Sequence, residues 1–258
     1  MRLCVEGLSA GYGPKKVLKE LSFELGTHEL VGILGANGCG KTTLIKALGG
    51  ILPYRGHAVL DGRELGECAP REAALLCGYL PQRSGLSLPL SLTETVMMGF
   101  NARLRLLETP DRSMRREAEE ALDRAGLRER AEENFLTLSE GQKQAVLLAR
   151  ATVCDHRLLL ADEPEAALDF SERHRMMRFL KAWASEGDRA VLAVLHDPQL
   201  ALRFCDRLLL VGEGGLLAEL CPGRETAEES SRKLSLIYGP VRLIEAEDRL
   251  FLVKEKDE

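Results

Sequence analysis

Apolar and polar positions alternate along the start of the chain, the period of half-buried strands. On that pattern Leu3–Leu8, Lys16–Leu25 and His28–Leu34 are predicted strands, the last carrying the apolar run Leu30-Val31-Gly32-Ile33-Leu34. A helix-like stretch, Thr43–Leu48, follows, and then two more predicted strands, His57–Asp61 and Leu76–Leu80. After Pro81-Gln82 the period changes from two to that of a helix. Thr93–Phe100 and Arg112–Ala125 are predicted helices; the second sets Met114, Ala118, Ala121, Leu122 and Ala125 on one face and charges elsewhere. Ser139–Cys154 continues the helical pattern. Strand periodicity returns at Arg157–Ala161, Ala190–Leu195 and Arg207–Val211, with a helix from about Asp169 to Glu186 between the first two. The tail reads as a helix (Glu228–Tyr238) and two strands (Val241–Glu245, Arg249–Val253). The simplest assembly is an α/β core, residues 1–83 and 154–220, interrupted by an all-helical insertion over 84–153 and followed by a tail over 221–258.

Composition changes this picture little. The chain has 258 residues, enough for a full core, with 45% hydrophobic and 29% charged residues. A net charge of −5 argues against a broad nucleic-acid footprint, so no nucleic-acid partner is expected. The basic group Arg112, Arg115 and Arg116 reads as a solvated helix face. The seven cysteines are scattered, with no C-x-x-C, and suggest reduced thiols rather than disulfides or a zinc site. The first residues lack the apolar segment of a secretion signal, and no apolar run nears the ~18 residues that span a bilayer. The expectation is a cytoplasmic protein that meets a membrane through a partner.

The most informative residues are Gly35-Ala36-Asn37-Gly38-Cys39-Gly40-Lys41-Thr42-Thr43, between a predicted strand and a predicted helix. Glycines at these offsets let the backbone curl around an anion with its N–H groups inward, at the positive end of a helix. Lys41 can reach the β- and γ-phosphates of a nucleoside triphosphate, and the Thr42 hydroxyl can ligate Mg²⁺. Cys39, beside Lys41 and a helix N-terminus, sits where a thiolate is favoured; a small tolerated side chain is the simpler reading. A second motif, Leu158-Leu159-Leu160-Ala161-Asp162-Glu163, is an apolar run ending in two carboxylates. It suits a buried parallel strand whose C-terminal end faces the ligand. There Asp162 would hold Mg²⁺ through water and Glu163 would polarise the attacking water as general base. A third, Leu138-Ser139-Glu140-Gly141-Gln142, opens a helix: Ser139 is an N-cap with Gln142 as its capping-box partner, and the same groups make a second phosphate-binding surface.

The order of these motifs, with Gln82, Asp169 and His196 between and after them, resembles the ATP-binding cassette family over nearly the whole chain. The resemblance implies a P-loop (RecA-like) α/β core with an N-terminal antiparallel β part and an inserted all-helical subdomain. It implies that Tyr12 stacks on adenine, that Gln82 senses Mg²⁺ and the attacking water, and that His196 contacts the γ-phosphate and orients Glu163. Asp169 falls at a dimer seam. Two cassettes would pack head to tail, so that Ser139, Gly141 and Gln142 of one close on ATP held by Lys41 of the other, in a homodimer or heterodimer. ATP and Mg²⁺ are the implied ligands, transmembrane permease subunits docking near Gln82 to Phe100 the implied partners, and an extracytoplasmic substrate-binding protein an indirect one. The protein would then be peripheral on the inner face of the cell membrane.

Within the family, Gly78-Tyr79-Leu80-Pro81-Gln82, Thr93-Glu94-Thr95-Val96-Met97-Met98-Gly99 and the tail Ile237-Tyr238-Gly239 with Val241-Arg242-Leu243-Ile244 resemble importer ATPases for iron–siderophores, haem and vitamin B12. Zinc and manganese importers share the second segment. A soluble ATPase of iron–sulfur assembly or DNA repair is the alternative class, though the long coiled-coil insertion of repair members is missing. The chain departs from the pattern in three places. Phe100 replaces a customary Arg. Glu140 replaces a Gly, which is tolerable if its side chain points away from the phosphate. Glu165-Ala166 replaces Thr-Ser and is expected to remove a hydroxyl at the dimer seam.

Overall fold

The computed structural model describes residues 1–105, 107–246 and 249–254. The chain opens with the antiparallel pair β1 (Leu3–Tyr12) and β2 (Lys15–Leu25), and β3 (Leu30–Gly35) then leads through a loop into α1 (Lys41–Leu48). After β4 (Tyr54–Leu60) and β5 (Arg63–Glu64), α2 (Pro70–Leu76) runs directly into β6 (Cys77–Leu80). Three helices follow, α3 (Leu92–Met97), α4 (Arg112–Arg124) and α5 (Glu140–Thr152). The α/β alternation resumes with β7 (Leu158–Asp162), α6 (Phe170–Ser185), β8 (Ala190–Val194), α7 (Pro198–Phe204), β9 (Arg207–Gly212) and β10 (Gly215–Leu220). The tail is α8 (Ala227–Tyr238) and the hairpin of β11 (Val241–Ala246) with β12 (Arg249–Lys254).

Two sheets organise the molecule. One has the order β10-β9-β3-β8-β7-β6 and is parallel except at β10; the other, β2-β1-β4-β5, is antiparallel. The central strand β3 is buried on both faces, and its residues alternate between two cores. Val31 and Ile33 join Leu8, Leu18, Leu44 and Ile45 in the core shared with α1 and the antiparallel sheet. Leu30 and Leu34 join Met177, Leu180 and Trp183 of α6 in a core that continues into the three-helix part through Phe100, Phe135 and Leu147. The parallel order sends the C-terminal ends of β3, β7 and β8 to one rim, where a sheet of this kind presents its ligand groups. Among the described residues no helix is long and apolar enough to cross a membrane.

The elements differ from the sequence expectation where local geometry breaks the period. β1 does not stop at Leu8 but reaches Tyr12 through register shifts after Val5, Leu8 and Ala10, bulges that hide the alternation. The strand expected from His28 begins at Leu30, because His28 takes a left-handed turn at φ 62°. Leu76 ends α2 rather than opening β6. The helix expected over Thr93–Phe100 tightens to a 3₁₀ turn at Met98–Phe100, where Gly99 lies so close to α5 that a Cβ would stand 2.4 Å from the Arg150 carbonyl. Helices α2 and α7 and strand β10 are elements the periodicity does not reveal.

Candidate active site

The β3–α1 loop is shaped by two glycines. Gly38 and Gly40 take φ values of 79° and 109°, and Gly40 carries Leu18 of β2 so close that a Cβ would meet it at 2.6 Å. Asn37 and Gly38 are exposed at the mouth of the loop, while Cys39 and Thr43 turn inward. Cys39 is 8% exposed and packs with Leu18 and Leu44 in the core, its sulfur against Gly35. The thiol therefore faces away from the mouth, which favours the small-side-chain reading over a reactive one. Lys41, 5% exposed, folds its ammonium back to donate to the Gly35 and Ala36 carbonyls at 2.8 and 3.0 Å. Tyr12 stands at the β1–β2 turn and is 51% exposed as a residue.

Asp162 ends β7 beside this loop. It accepts a 2.8 Å hydrogen bond from the Thr42 hydroxyl. Burial pushes the Asp162 carboxyl above its ordinary value, and the Thr42 bond offsets part of that rise. A hydroxyl and a carboxylate 2.8 Å apart at the foot of a phosphate cradle are hard oxygen donors of the kind Mg²⁺ takes, with phosphate and water completing its shell. The next residue, Glu163, leaves the strand at φ 51°, a left-handed conformation uncommon for a non-glycine residue, and its N–H donates to the Val194 carbonyl at 3.2 Å. Its carboxylate stands between two partners: it accepts from the Gln82 side-chain amide and pairs with His196 Nε2 at 2.5 Å. Thr42, Asp162, Glu163, Gln82 and His196, far apart in sequence, thus meet at one rim.

Ser139, Gly141, Gln142 and Asp169 are not part of that cluster. Ser139 Oγ accepts the Gln142 N–H at 3.3 Å and Gln142 Oε1 accepts the Ser139 N–H at 3.1 Å, the reciprocal capping expected. Gly141 lies against the Glu172 carboxylate of α6, where a Cβ would be 2.3 Å away. Asp169 caps α6 through the Glu172 and Ser171 groups, and those bonds hold its carboxyl below the ordinary value. Glu140 forms an ion pair with Lys143 at 2.8 Å.

Two expectations change. Phe100 is 0% exposed in the core with the Arg103 guanidinium 5.4 Å over its ring, so it offers no docking surface itself; the exposed apolar residue of that segment is Leu88, at 62%. Glu165 does not border a seam. It is 2% exposed, whereas Ala166 is on the surface. The sequence reading also missed Gln144, whose buried side chain donates to the Pro81 and Gln82 carbonyls at 3.4 and 3.3 Å and so ties α5 to the segment carrying Gln82. Its signal was present: a polar residue on the helix face of Leu147, Leu148 and Ala151.

A parallel sheet with a glycine-shaped phosphate loop after one strand and a carboxylate pair after another defines a P-loop nucleoside triphosphatase. The chain belongs to the ABC transporter family, whose sequence pattern matches residues 18–166, and is an ATP-binding cassette ATPase. It is 34% identical over 247 residues to the hemin import ATP-binding protein HmuV of Bordetella avium, covering 93% of this chain and 92% of that one. To the protein of the same name from Deinococcus radiodurans it is 36% identical over 233 residues, covering 88% and 87%. Among solved structures, an inward-facing putative metal-chelate type ABC transporter superposes with a TM-score of 0.81 at 25% identity over 97% of this chain and 95% of that one. A dimeric post-hydrolysis ATP-binding cassette bound to ADP and Pi gives 0.76 at 26% identity over 87% and 100%.

Proposed function

We propose that this chain is the ATP-hydrolysing subunit of a membrane importer for a metal chelate or tetrapyrrole, of the haem, cobalamin or iron–siderophore kind. The observation that carries this is the near full-length likeness to hemin import ATPases, which at 93% coverage extends beyond the nucleotide core into the tail. A cobalamin import ATP-binding protein of Halobacterium salinarum, 32% identical over 83% of this chain and 54% of its own length, supports the same substrate range.

In this reading Lys41 leaves the Gly35 and Ala36 carbonyls for the β- and γ-phosphates, while the N–H groups of Asn37 to Thr43 cradle the phosphate chain. Tyr12 stacks on the base. Thr42, Asp162 and Gln82 would hold Mg²⁺, which would neutralise charge on the phosphates. Glu163 takes the proton from the attacking water. His196 keeps that carboxylate oriented and reaches the γ-phosphate. In one chain Ser139, Gly141 and Gln142 stand apart from the loop, and a second cassette brings its own set over the nucleotide, with Asp169 at the seam. The permease docks on the exposed segment between Gln82 and the buried Phe100, which holds the protein on the inner face of the membrane. A substrate-binding protein acts on the far side. The residues over 84–153 then form the signature subdomain, and those from 221 onward the tail.

The test is an affinity pull-down of tagged protein from mildly solubilised native membranes, followed by mass spectrometry. A polytopic membrane protein should co-purify, and metal and tetrapyrrole analysis of the complex should identify its cargo. Recovery with assembly or repair proteins from the soluble fraction alone would overturn the importer assignment.

A further inference from the structure

One buried acid has no part in the chemistry just described. Glu165 lies in the turn between β7 and α6 with 2% of its surface exposed. Its Oε1 accepts the backbone N–H of His196 at 2.8 Å, while Oε2 is buried with no hydrogen-bond partner among the described residues. The backbone explains why an acceptor is needed there. β7 and β8 are paired up to Asp162 and Val194, and Glu163 adds a last bond to the Val194 carbonyl. The left-handed turn at Glu163 then takes the chain away from β8, so the ladder offers no carbonyl to the His196 N–H. The Glu165 carboxylate fills that role from the side. His196 is thereby held twice, by its N–H beneath and by its imidazole on Glu163 above. The Glu165 carbonyl also accepts the Leu168 N–H at 3.2 Å, fixing the turn that delivers Asp169 to the head of α6.

We propose that Glu165 is a positioning residue: its buried carboxylate fixes the backbone of His196 and thereby sets the imidazole against Glu163. The assignment rests on the hydrolytic reading of that pair. A buried carboxylate with one idle oxygen costs folding energy that an apolar residue of similar size would not, which argues against space-filling as its purpose. Burial raises its carboxyl above the ordinary value, opposed first by the His196 N–H and then by the backbone N–H groups of Glu165 and Asp197 and by the His196 ring.

The experiment compares wild type, E165Q and E165M as full-length proteins. Gln keeps the acceptor oxygen and loses no bond at the idle position; Met fills the space without an acceptor. With Mg-ATP, E165Q should hold kcat within about threefold of wild type, while E165M loses at least ~tenfold in kcat with KM within about twofold, because the phosphate loop is untouched. Equal rates in the two variants, or a loss carried by KM, would overturn the proposal. Should E165M not fold, E165S, too short to reach His196, takes its place with the same expected loss. A second readout does not depend on hydrolysis. In protein labelled with ¹⁵N at its five histidines, the His196 amide should exchange slowly in wild type and E165Q and at least ~tenfold faster in E165M. Equal exchange in all three overturns the role of Glu165, whereas an inert wild type with a protected His196 amide overturns the catalytic reading alone.

Discussion

His156 stands against Gly78 at the start of β6, 5% exposed and with Nδ1 unpartnered. Burial pushes its pKa below the ordinary 6.5, and a bond with the Leu75 backbone offsets only part of that. The folded chain therefore keeps this imidazole neutral to lower pH than the unfolded chain does. Between the two values the unfolded chain binds the extra proton, so stability is lost as pH falls below about 6.5. Melting temperatures at pH 7.5 and 5.5 should show this loss in wild type and a smaller one in His156→Leu; equal losses would contradict it. At this scale the residues that meet at the rim were legible as candidates, because the loop glycines, Lys41, Asp162-Glu163 and His196 sit at fixed offsets from strand ends. Glu165 was not, and of Gln144 only its place on an apolar helix face was. Each acts on a backbone atom tens of residues away, His196 N–H in one case and the Pro81 and Gln82 carbonyls in the other, and no local pattern encodes such a partner.

Elements with a clean period were legible, and those made by punctuation were not. α7 is a short helix opened by Asp197-Pro198, with the Asp197 carboxylate capping Gln199 at 2.8 Å; its few turns carry no periodic signal. α2 likewise opens on Pro70 and ends directly in a strand. β10 turns back on β9 through Glu213 and Gly214, both at positive φ, and its residues are only half buried, so its pattern is weak. The terminal hairpin shows what holds an element that could not stand alone, since two strands without further cover are marginal in water. Val241 and Leu243 bury one side against α8, and the Gln199 side chain grips β12 by both functions, donating to the Leu250 carbonyl and accepting the Leu252 N–H at 3.0 Å. Gln199→Leu removes both bonds at a cost of about 1–3 kcal/mol. Hydrogen exchange at Leu252 should rise by at least ~tenfold in that variant while the β3 amides stay protected, by the independence of local and global opening. Unchanged exchange at Leu252 would show that apolar contact alone seats the hairpin.

On the scale of the whole molecule, the sheet order β10-β9-β3-β8-β7-β6 explains why residues spread from Lys41 to His196 share one rim. β3 contributes the loop, its neighbour β8 contributes His196, and β7 contributes Asp162 and Glu163. Gln82 arrives just beyond β6, held by α5 through Gln144. The same architecture leaves Ser139 and Gly141 on the three-helix part, engaged with Gln142 and Glu172 rather than with the loop. In a single chain the two groups of residues are thus apart, and Phe170, directly after Asp169, is 78% exposed. That a second cassette brings them together is an expectation from family resemblance alone. Periodicity places each motif on its element but says nothing of which molecule completes the site.

In the function proposed above, a second cassette, identical or different, closes over ATP held by Lys41, and Glu163 ends this state by hydrolysis. Light scattering on Glu163→Gln, purified and mixed with Mg-ATP, tests it most directly. The account predicts a species of twice the 28.5 kDa chain with ATP, absent with ADP, and hydrolysis reduced by at least ~100-fold. A variant that binds ATP, stays at the mass of one chain and hydrolyses at the wild-type rate would contradict the role given to Glu163.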